Sequence, residues 1–555
     1  MENRIILIAS FLMVLAAILI ISVDFLKVTY YGELDMFGPI SIYPLIILAQ
    51  FSLPILFMAI LLKCRETSPV VLLAPLMLLI AIKYVGVELA DAFYVTSFYD
   101  AVGHFRRGFY VTVAGHSDPQ ADAYFDVQPG FFWVTGMLLN VAWGTPNSLV
   151  DPTCILIVKW FHIFAIMAYI PILYMLYKRL LSNPILVSVA FLLHFGMEFI
   201  HFHYAAQSYG RVLYWLIFIL IFNSLNKKDF RYAILALLTG ISLIFVHQGV
   251  TILVILALMA LVFYSAPFKI LARDNRFFRK EFFALLFVVG AAWFFRLIYL
   301  TIYEFRNFAE TFRKVIETLI VRNLQIIPSG IARANATWEQ IVFCKTIYIF
   351  ILVTSGLILS FVNAYRRKED EDKLAFSIQL LSATFFGLAA IGIGGAGYIE
   401  RLPSLTMPLI TYSMIKYATN HKMRRRRKLT NSLTVILLIT LVFLGSAFYL
   451  SGRNFQSVTY GEYYSKVFLV NNDPQNIMEV YGRLKVTPIR EVIKAELSNK
   501  SVTHITVISI QRHDIIQTNY YICADMNLIK KIVKNLQNEM SVIYSNPDAA
   551  VLLKR

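Results

Sequence analysis

The chain has 555 residues, of which 58% are hydrophobic and 15% charged, and its mean hydropathy is +0.65. So apolar a composition excludes a soluble globular protein of this length, which would lack the charges to cover its surface. The net charge of +17 does not point to nucleic acid, because the basic residues gather in short loops between apolar runs, the pattern that orients membrane helices.

Taken in chain order, thirteen runs read as spans: 5–24, 43–62, 69–90, 154–176, 184–200, 208–224, 231–247, 248–264, 283–303, 341–362, 374–394, 403–418 and 430–450. Residues 5–24 read as a span and not a cleaved leader, since no small-residue cleavage site follows. The basic loops are Lys63/Arg65, Lys178/Arg179, Lys227/Lys228/Arg231, Lys269 to Lys280, Arg366 to Lys368 and Lys422 to Lys428. All of them fall on one side, and that side is cytoplasmic if the N-terminus is. Residues 130–143 are apolar but short, and counting them as a crossing would turn every later loop inside out. They are expected to be re-entrant or interfacial, with protein or water around them. The loops 91–129, 201–207, 304–340 and 395–402 are then expected outside, together with residues 451–555. That last stretch alternates like a strand over Thr503–Ile510, has a helical pattern over Asn527–Met540 and closes with a hairpin pattern over Ser541–Leu553. The expected architecture is an all-α polytopic membrane protein of about thirteen transmembrane helices over residues 1–450, followed by a small extracytoplasmic α/β domain over 451–555.

Chemistry-bearing residues concentrate on the expected outer side. Asp100 and His104 stand four apart in loop 91–129, so a helix places them on one face. A carboxylate there could act as a general base with the imidazole supporting it. The plainer alternative is a solvated amphipathic helix, in which such pairs are common. Asp118, Asp122 and Asp126 repeat the spacing of four, but Asp118-Pro119 reads as a turn. Asp126 is the stronger second acid, since it directly precedes the break at Pro129-Gly130.

Ionisable residues also interrupt the spans: Lys83, Glu88, Lys159, His162, His194, Glu198, Arg211 and Arg296. A charge at mid-bilayer costs about 3 kcal/mol unless paired or hydrated. On this topology all eight lie in the outer half, where His247-Gln248-Gly249 and Glu400-Arg401 join them. Snorkelling accounts for Glu88 and Lys159; for the rest, an outward-opening polar cavity is expected. His201, His203 and Gln207 crowd one outer loop. His-x-His could start a zinc site, but no third ligand is evident, and hydrogen bonding to a substrate is the favoured role. Four cysteines, at 64, 154, 344 and 523, lie far apart and show no metal-ligand spacing. The glycine run Gly392–Gly397 follows a membrane helix, so it reads as a packing or bend element and not as a nucleotide loop.

Together these features resemble the GT-C superfamily of polytopic glycosyltransferases, in its archaeal, oligosaccharyltransferase-like and mannosyltransferase-like forms. Asp100-x-x-x-His104 and Gln128-Pro129-Gly130-Phe-Phe-Trp133 look like the family's acidic outer loop and the Pro-Gly step into the next helix. Tyr204-Ala-Ala-Gln207-Ser208 and Val246-His247-Gln248-Gly-Val-Thr251 look like its outer-loop motifs, and Glu400-Arg401 like its late basic residue. Two more spans than usual precede the acidic loop, and neither an Asp-x-Asp motif nor a Trp-Trp-Asp acceptor motif is present. The resemblance implies sugar transfer at the cell membrane's extracytoplasmic face, from a polyprenyl-phosphate-linked donor to a glycan or protein acceptor. Asp100 would be the working acid, with Asp126 second and His104 in support. Lys83, His201, His203, Gln207, Arg211, His247, Arg296, Glu400 and Arg401 would line the donor site, with the arginines answering the lipid phosphate. No organic cofactor is implied; a divalent cation is the one inorganic group the chemistry would accept, without a ligand set in the sequence. Membrane lipids are implied as partners and nucleic acid is not. A catalytically inactive scaffold subunit and a lipid-linked glycan transporter are the alternatives.

Overall fold

A computed structural model describes residues 83–84, 93–95, 99–118, 124–143, 152–199, 205–227, 229–271, 280–299, 336–367, 369–390, 396–419 and 439–445, and five short strands beyond them. The described helices are α1 (Tyr99–Ala114), α2 (Tyr124–Val127), α3 (Pro129–Trp143), α4 (Pro152–Leu180), α5 (Pro184–Met197), α6 (Ala206–Lys227), α7 (Phe230–Val246), α8 (Gln248–Leu271), α9 (Lys280–Tyr299), α10 (Ala336–Arg367), α11 (Asp370–Ala390) and α12 (Ala396–Ala418). Strand β1 is Phe93–Val95, and β2 to β6 are Val458–Thr459, Ile477–Val480, His504–Ile508, Met540–Ser545 and Ala549–Lys554. The spans expected at 5–24, 43–62 and most of 69–90 lie outside the described residues.

Tight connections make the helices alternate in direction. Three residues join α4 to α5, two join α6 to α7, His247 alone joins α7 to α8, and two join α10 to α11. Local chemistry sets these ends. Asn183 caps α5 by accepting from the Ile185 amide at 2.8 Å, with Pro184 at the first helical position. Asp229 caps α7 by accepting from the Arg231 amide at 3.0 Å, and its carboxylate also takes the Arg231 guanidinium. The Arg231 hydrogen bonds hold the Asp229 carboxyl below its ordinary range. That contribution is complete above the ordinary carboxylate pKa and fades as the pH falls through the lowered one.

Two described helices, Ile163–Leu180 and Cys344–Arg366, are long and apolar enough to cross a membrane. Shorter apolar helices occur at Pro129–Val141, Pro184–Met197, Phe230–Val246, Gln248–Val262 and Phe283–Ile298. One core runs through α4 to α12, with Tyr169, Tyr177, Trp215, Tyr348 and Tyr412 fully buried. Large apolar side chains also point outward: Phe164 and Met167 from α4, Phe230 and Leu238 from α7, Phe287 and Phe295 from α9, and Phe350 and Phe361 from α10. Exposed apolar area spread over so many helices calls for an apolar surrounding.

The bundle has two unlike ends. One carries Lys178, Arg179, Lys227, Arg231, Lys280, Arg366, Arg367 and Lys416, and the ion pair of Lys416 with Glu369 at 2.8 Å ties α12 to the start of α11 there. The other carries the C-termini of α5, α7 and α9 and the N-termini of α6, α8 and α12. Three structural outcomes differ from the sequence reading. Helix α12 starts at Ala396, so Glu400 and Arg401 sit on its first turns and not in a loop. Helix α10 likewise begins at Ala336, inside the expected loop 304–340. The polar interior also reaches the basic end, along α10, α11 and α12. There Tyr412 Oη donates to Asp372 Oδ1 at 2.9 Å, Asn363 to the Ser413 carbonyl at 3.0 Å and Gln379 to Ser413 Oγ at 3.2 Å, all buried.

Beyond the helices, β1 pairs antiparallel with β2. The other strands form a sheet in the order β3-β4-β6-β5, with β4 antiparallel to β6 in the register His504 to Leu553. The β5–β6 hairpin matches the pattern at 541–553, while the helical pattern at Asn527–Met540 lies outside the described residues apart from Met540, which starts β5.

The helical segment 439–445 packs against the end of α5 at very short range. A Cβ on Gly445 would stand 2.7 Å from the backbone of Gly196 and Met197. No side chain fits there without moving a helix. Gly445→Ala is therefore expected to destabilise the protein by about 1–3 kcal/mol, read as a lower melting temperature in detergent against an unchanged Gly290→Ala control, since Gly290 has open space around it.

Candidate functional site

The site grows from the way α5 ends. Glu198 is its C-cap, and the last carbonyls of a helix have no partner within it. No glycine turns the chain here. Side chains from elsewhere take the carbonyls instead. Lys83 Nζ donates to the Phe195 carbonyl and, at 2.8 Å, to that of Glu198. The Tyr348 hydroxyl lies 2.7 Å from the Met197 carbonyl and 3.0 Å from that of Leu441, bridging α10, α5 and segment 439–445.

The Glu198 side chain is wholly buried and joins α5 to two further helices, α6 and α12. Arg211 of α6 donates to Oε2 at 3.1 Å. His194, one turn back on α5, brings Nε2 to 3.8 Å from the same oxygen. Ser404 of α12 donates to Oε1 at 3.4 Å. The imidazole is walled by the Tyr169, Tyr177 and Phe195 rings at 5.8, 6.2 and 5.0 Å. Trp215 Nε1 donates to the Leu405 carbonyl at 3.0 Å, which fixes α6 against α12 beside the cluster. In an apolar interior such a group persists only when paired in this way.

A second polar node lies at the same end. His247 caps α7 and starts α8: its amide donates to the Leu243 carbonyl at 2.9 Å, and its Nδ1 accepts from the Val250 amide at 3.0 Å. Thr251 Oγ1 donates to the His247 carbonyl at 3.1 Å. Arg296 of α9 donates through Nη1 to the Ile244 carbonyl and through Nη2, at 3.1 Å, to the Val127 carbonyl. Its guanidinium lies 5.2 Å over the Phe245 ring. Arg296 thus clamps the end of α7 to the residue after Asp126. Gly130 completes the contact, since a Cβ there would stand 3.0 Å from Phe245 Cβ.

Helix α1 reaches this node through α3. Thr112 Oγ1 lies 2.9 Å from the Gly108 carbonyl and 3.1 Å from that of Gly136, and a Cβ on Gly136 would meet the Gly108 carbonyl at 3.2 Å. This close packing carries His104 under α3, where its ring meets Phe131 and Phe132 at 5.7 and 5.8 Å. His104 is buried, which the solvated-helix alternative does not accommodate.

Of the residues singled out in the sequence, Lys83 and Arg211 meet at Glu198, and His247 and Arg296 meet around the α7–α8 turn, while Arg401 lies on the first turns of α12 at the same end of the bundle. Gln207 is half-buried on the first turn of α6. Asp100 lies on the first turn of α1, Asp126 in α2 and Glu400 in α12; their side chains lie outside the described residues, as do His201 and His203 altogether. The residue left off the candidate site is Glu198, the hub of the first node. Its signal was present, since His194-x-x-x-Glu198 puts an imidazole and a carboxylate on one face of an otherwise apolar helix. Among the described residues no three His, Cys, Asp or Glu side chains come together as a metal site. No family model matches the chain, and none of the curated proteins is detectably similar to it in sequence.

Removing one partner of a buried ion pair leaves the other uncompensated. Arg211→Met is expected to lower stability by about 3–5 kcal/mol, measured by denaturant titration in mild detergent. Adding Glu198→Gln should restore part of the loss, because the uncompensated carboxylate is then gone. Strict additivity of the two changes would contradict a direct pair.

Proposed function

We propose that the chain is a multi-pass membrane protein of about thirteen spans that transfers a sugar from a polyprenyl-phosphate-linked donor at the extracytoplasmic face. The observation that carries this reading is the polar end of the bundle. Lys83, Arg211 and Arg296 are bound into buried polar nodes there and Arg401 begins α12 at the same end, while the basic loops occupy the opposite end. Cationic loops belong on the cytoplasmic side, which supports an outer-face position for the nodes and a cytoplasmic N-terminus. The β1–β2 pairing supports the same assignment for the tail, because it joins loop 91–129 to residues just after the last expected span.

In the proposed reaction Asp100, or Asp126 in its place, takes the proton from the acceptor nucleophile. The nucleophile attacks the anomeric carbon, the bond from that carbon to the phosphate oxygen breaks, and polyprenyl phosphate leaves with the electron pair. Arg401 is the best placed cation for that leaving charge. Arg296 gives two of its donors to backbone carbonyls, so its part is to hold the Asp126 segment. Arg211 is tied to Glu198 and keeps the neighbouring wall in place. A lipid-linked glycan transporter is the second reading. The buried polar residues that continue along α10, α11 and α12 to Asp372 and Tyr412 favour it, since a path through a bundle needs polar groups at both ends.

Membranes carrying the wild-type chain should transfer sugar from a polyprenyl-phosphate donor. Asp100→Asn should lower the rate by about 10²–10⁴-fold, and Arg401→Ala should also slow it. Equal rates in both variants would remove these residues from the reaction, and no wild-type transfer from any such donor would leave the transporter as the better reading. Orientation has its own check. In a cysteine-free background, a cysteine at Asp229 should react with an impermeant maleimide only after the cells are opened, and one at Asn546 should react in intact cells.

A further inference from the structure

We propose that α6, α7 and α9 form a binding site for one anionic glycerophospholipid at the basic end of the bundle. The three helices enclose a groove of about 180 Å³. Its depth comes from small side chains, Ala233 and Ala236 on α7 and Ala284 on α9, where larger residues would have closed the gap. Its walls are otherwise apolar, so it accepts a hydrocarbon chain and not a headgroup. Ser224 is the one polar residue lining it; it is 7% exposed, and its hydroxyl makes no hydrogen bond among the described residues. Phe230 and Phe287 stand exposed beside the groove, so this face meets an apolar medium.

The position of the groove along the bundle names the lipid. Lys227 lies three residues beyond Ser224 on α6, on the same helix face and one turn nearer the basic end. Its ammonium is held 3.0 Å from the Tyr232 hydroxyl at the start of α7. Around that end the sequence sets Lys227, Lys228, Arg231 and Lys280 against Asp229 and Glu281, an excess of two positive charges. An acyl chain in the groove therefore brings a phosphate to a cationic rim, with Ser224 available to the ester region. A zwitterionic lipid gains less, because its own ammonium offsets the phosphate at the same rim.

This site rests on the membrane reading above and not on the transfer reaction, since it lies at the end of the bundle away from Arg401. The test is native mass spectrometry of the full-length protein in neutral detergent, with phosphatidylglycerol, phosphatidylcholine or a short polyprenyl phosphate added separately. Wild type should retain one phosphatidylglycerol at least tenfold better than phosphatidylcholine. Ala284→Leu, and independently Ala233→Leu, should reduce that retention about tenfold while the melting temperature of the lipid-free protein stays unchanged. Lys227→Gln should reduce it about fivefold, the effect of one cation at an anionic surface. Equal retention of the two phospholipids, or full retention in both leucine variants, would overturn the proposal. So would retention of polyprenyl phosphate alone, or a protein dimer that the leucine variants abolish. A loss of sugar transfer with lipid retention intact would count against the reaction and leave the lipid site standing.

Discussion

The end of helix α5 imposes the requirement that the surrounding structure meets. Three of its carbonyls finish inside the protein, where water cannot reach them and bare polar groups are strongly disfavoured. Lys83 and Tyr348 supply the donors, and both come from distant parts of the chain. Once Lys83 is buried there, Glu198 has an ammonium close to it, and Arg211 and Ser404 complete its surroundings. Five parts of the chain are thereby fixed at one point: Lys83, α5, α6, α10 and α12.

Glycine has the complementary role at three contacts. Gly445 lets segment 439–445 rest on the α5 backbone, Gly130 admits Phe245, and Gly136 lets α3 lie on α1. Polar side chains then bond across the close approaches, as Thr112 does between α1 and α3. In an apolar surrounding the hydrophobic effect gives little drive for helices to associate, so close backbone contact and interhelical hydrogen bonds carry more of the specificity. Helix α12 follows the same logic with different means. Pro408 cannot donate to the Ser404 carbonyl one turn back, and nearby Ser404 bonds to Glu198 of α5 while Thr406 bonds within the helix and to α11.

How much of this could be read from the sequence depended on the kind of signal. The basic loops and the apolar helices were legible, because charge and hydropathy are properties of single segments. The hairpin at Met540–Lys554 was legible for the same reason, being a local pattern. The gathering of Lys83 with Arg211, and of His247 with Arg296, could only be expected as membership of one outer half. Which of them meet depends on helix rotation, and no local pattern encodes that. His104 shows the limit most clearly. Its spacing from Asp100 defines a helix face but not what covers the face, and α3 covers it through two glycines whose contact lies 28 residues apart in the chain, from Gly108 to Gly136. The polar seam along α10 to α12 was missed because Asn363, Gln379 and Ser413 carry no charge and each is unremarkable in its own helix.

The partners of Glu198 also differ in when a growing chain would deliver them. Lys83 is made 115 residues before it and Arg211 only 13 residues after. Ser404 follows 206 residues later, and the carbonyl-capping Tyr348 comes 151 residues after Met197. The carboxylate therefore gains both cations as soon as α6 leaves the ribosome, well before the last third of the protein exists. The polar node is then charge-neutralised by the first half of the chain alone, and the later helices dock onto a surface already in place. Synthesis order and energetic order agree at this residue, so the carboxylate already has its cations before α10 and α12 close over it.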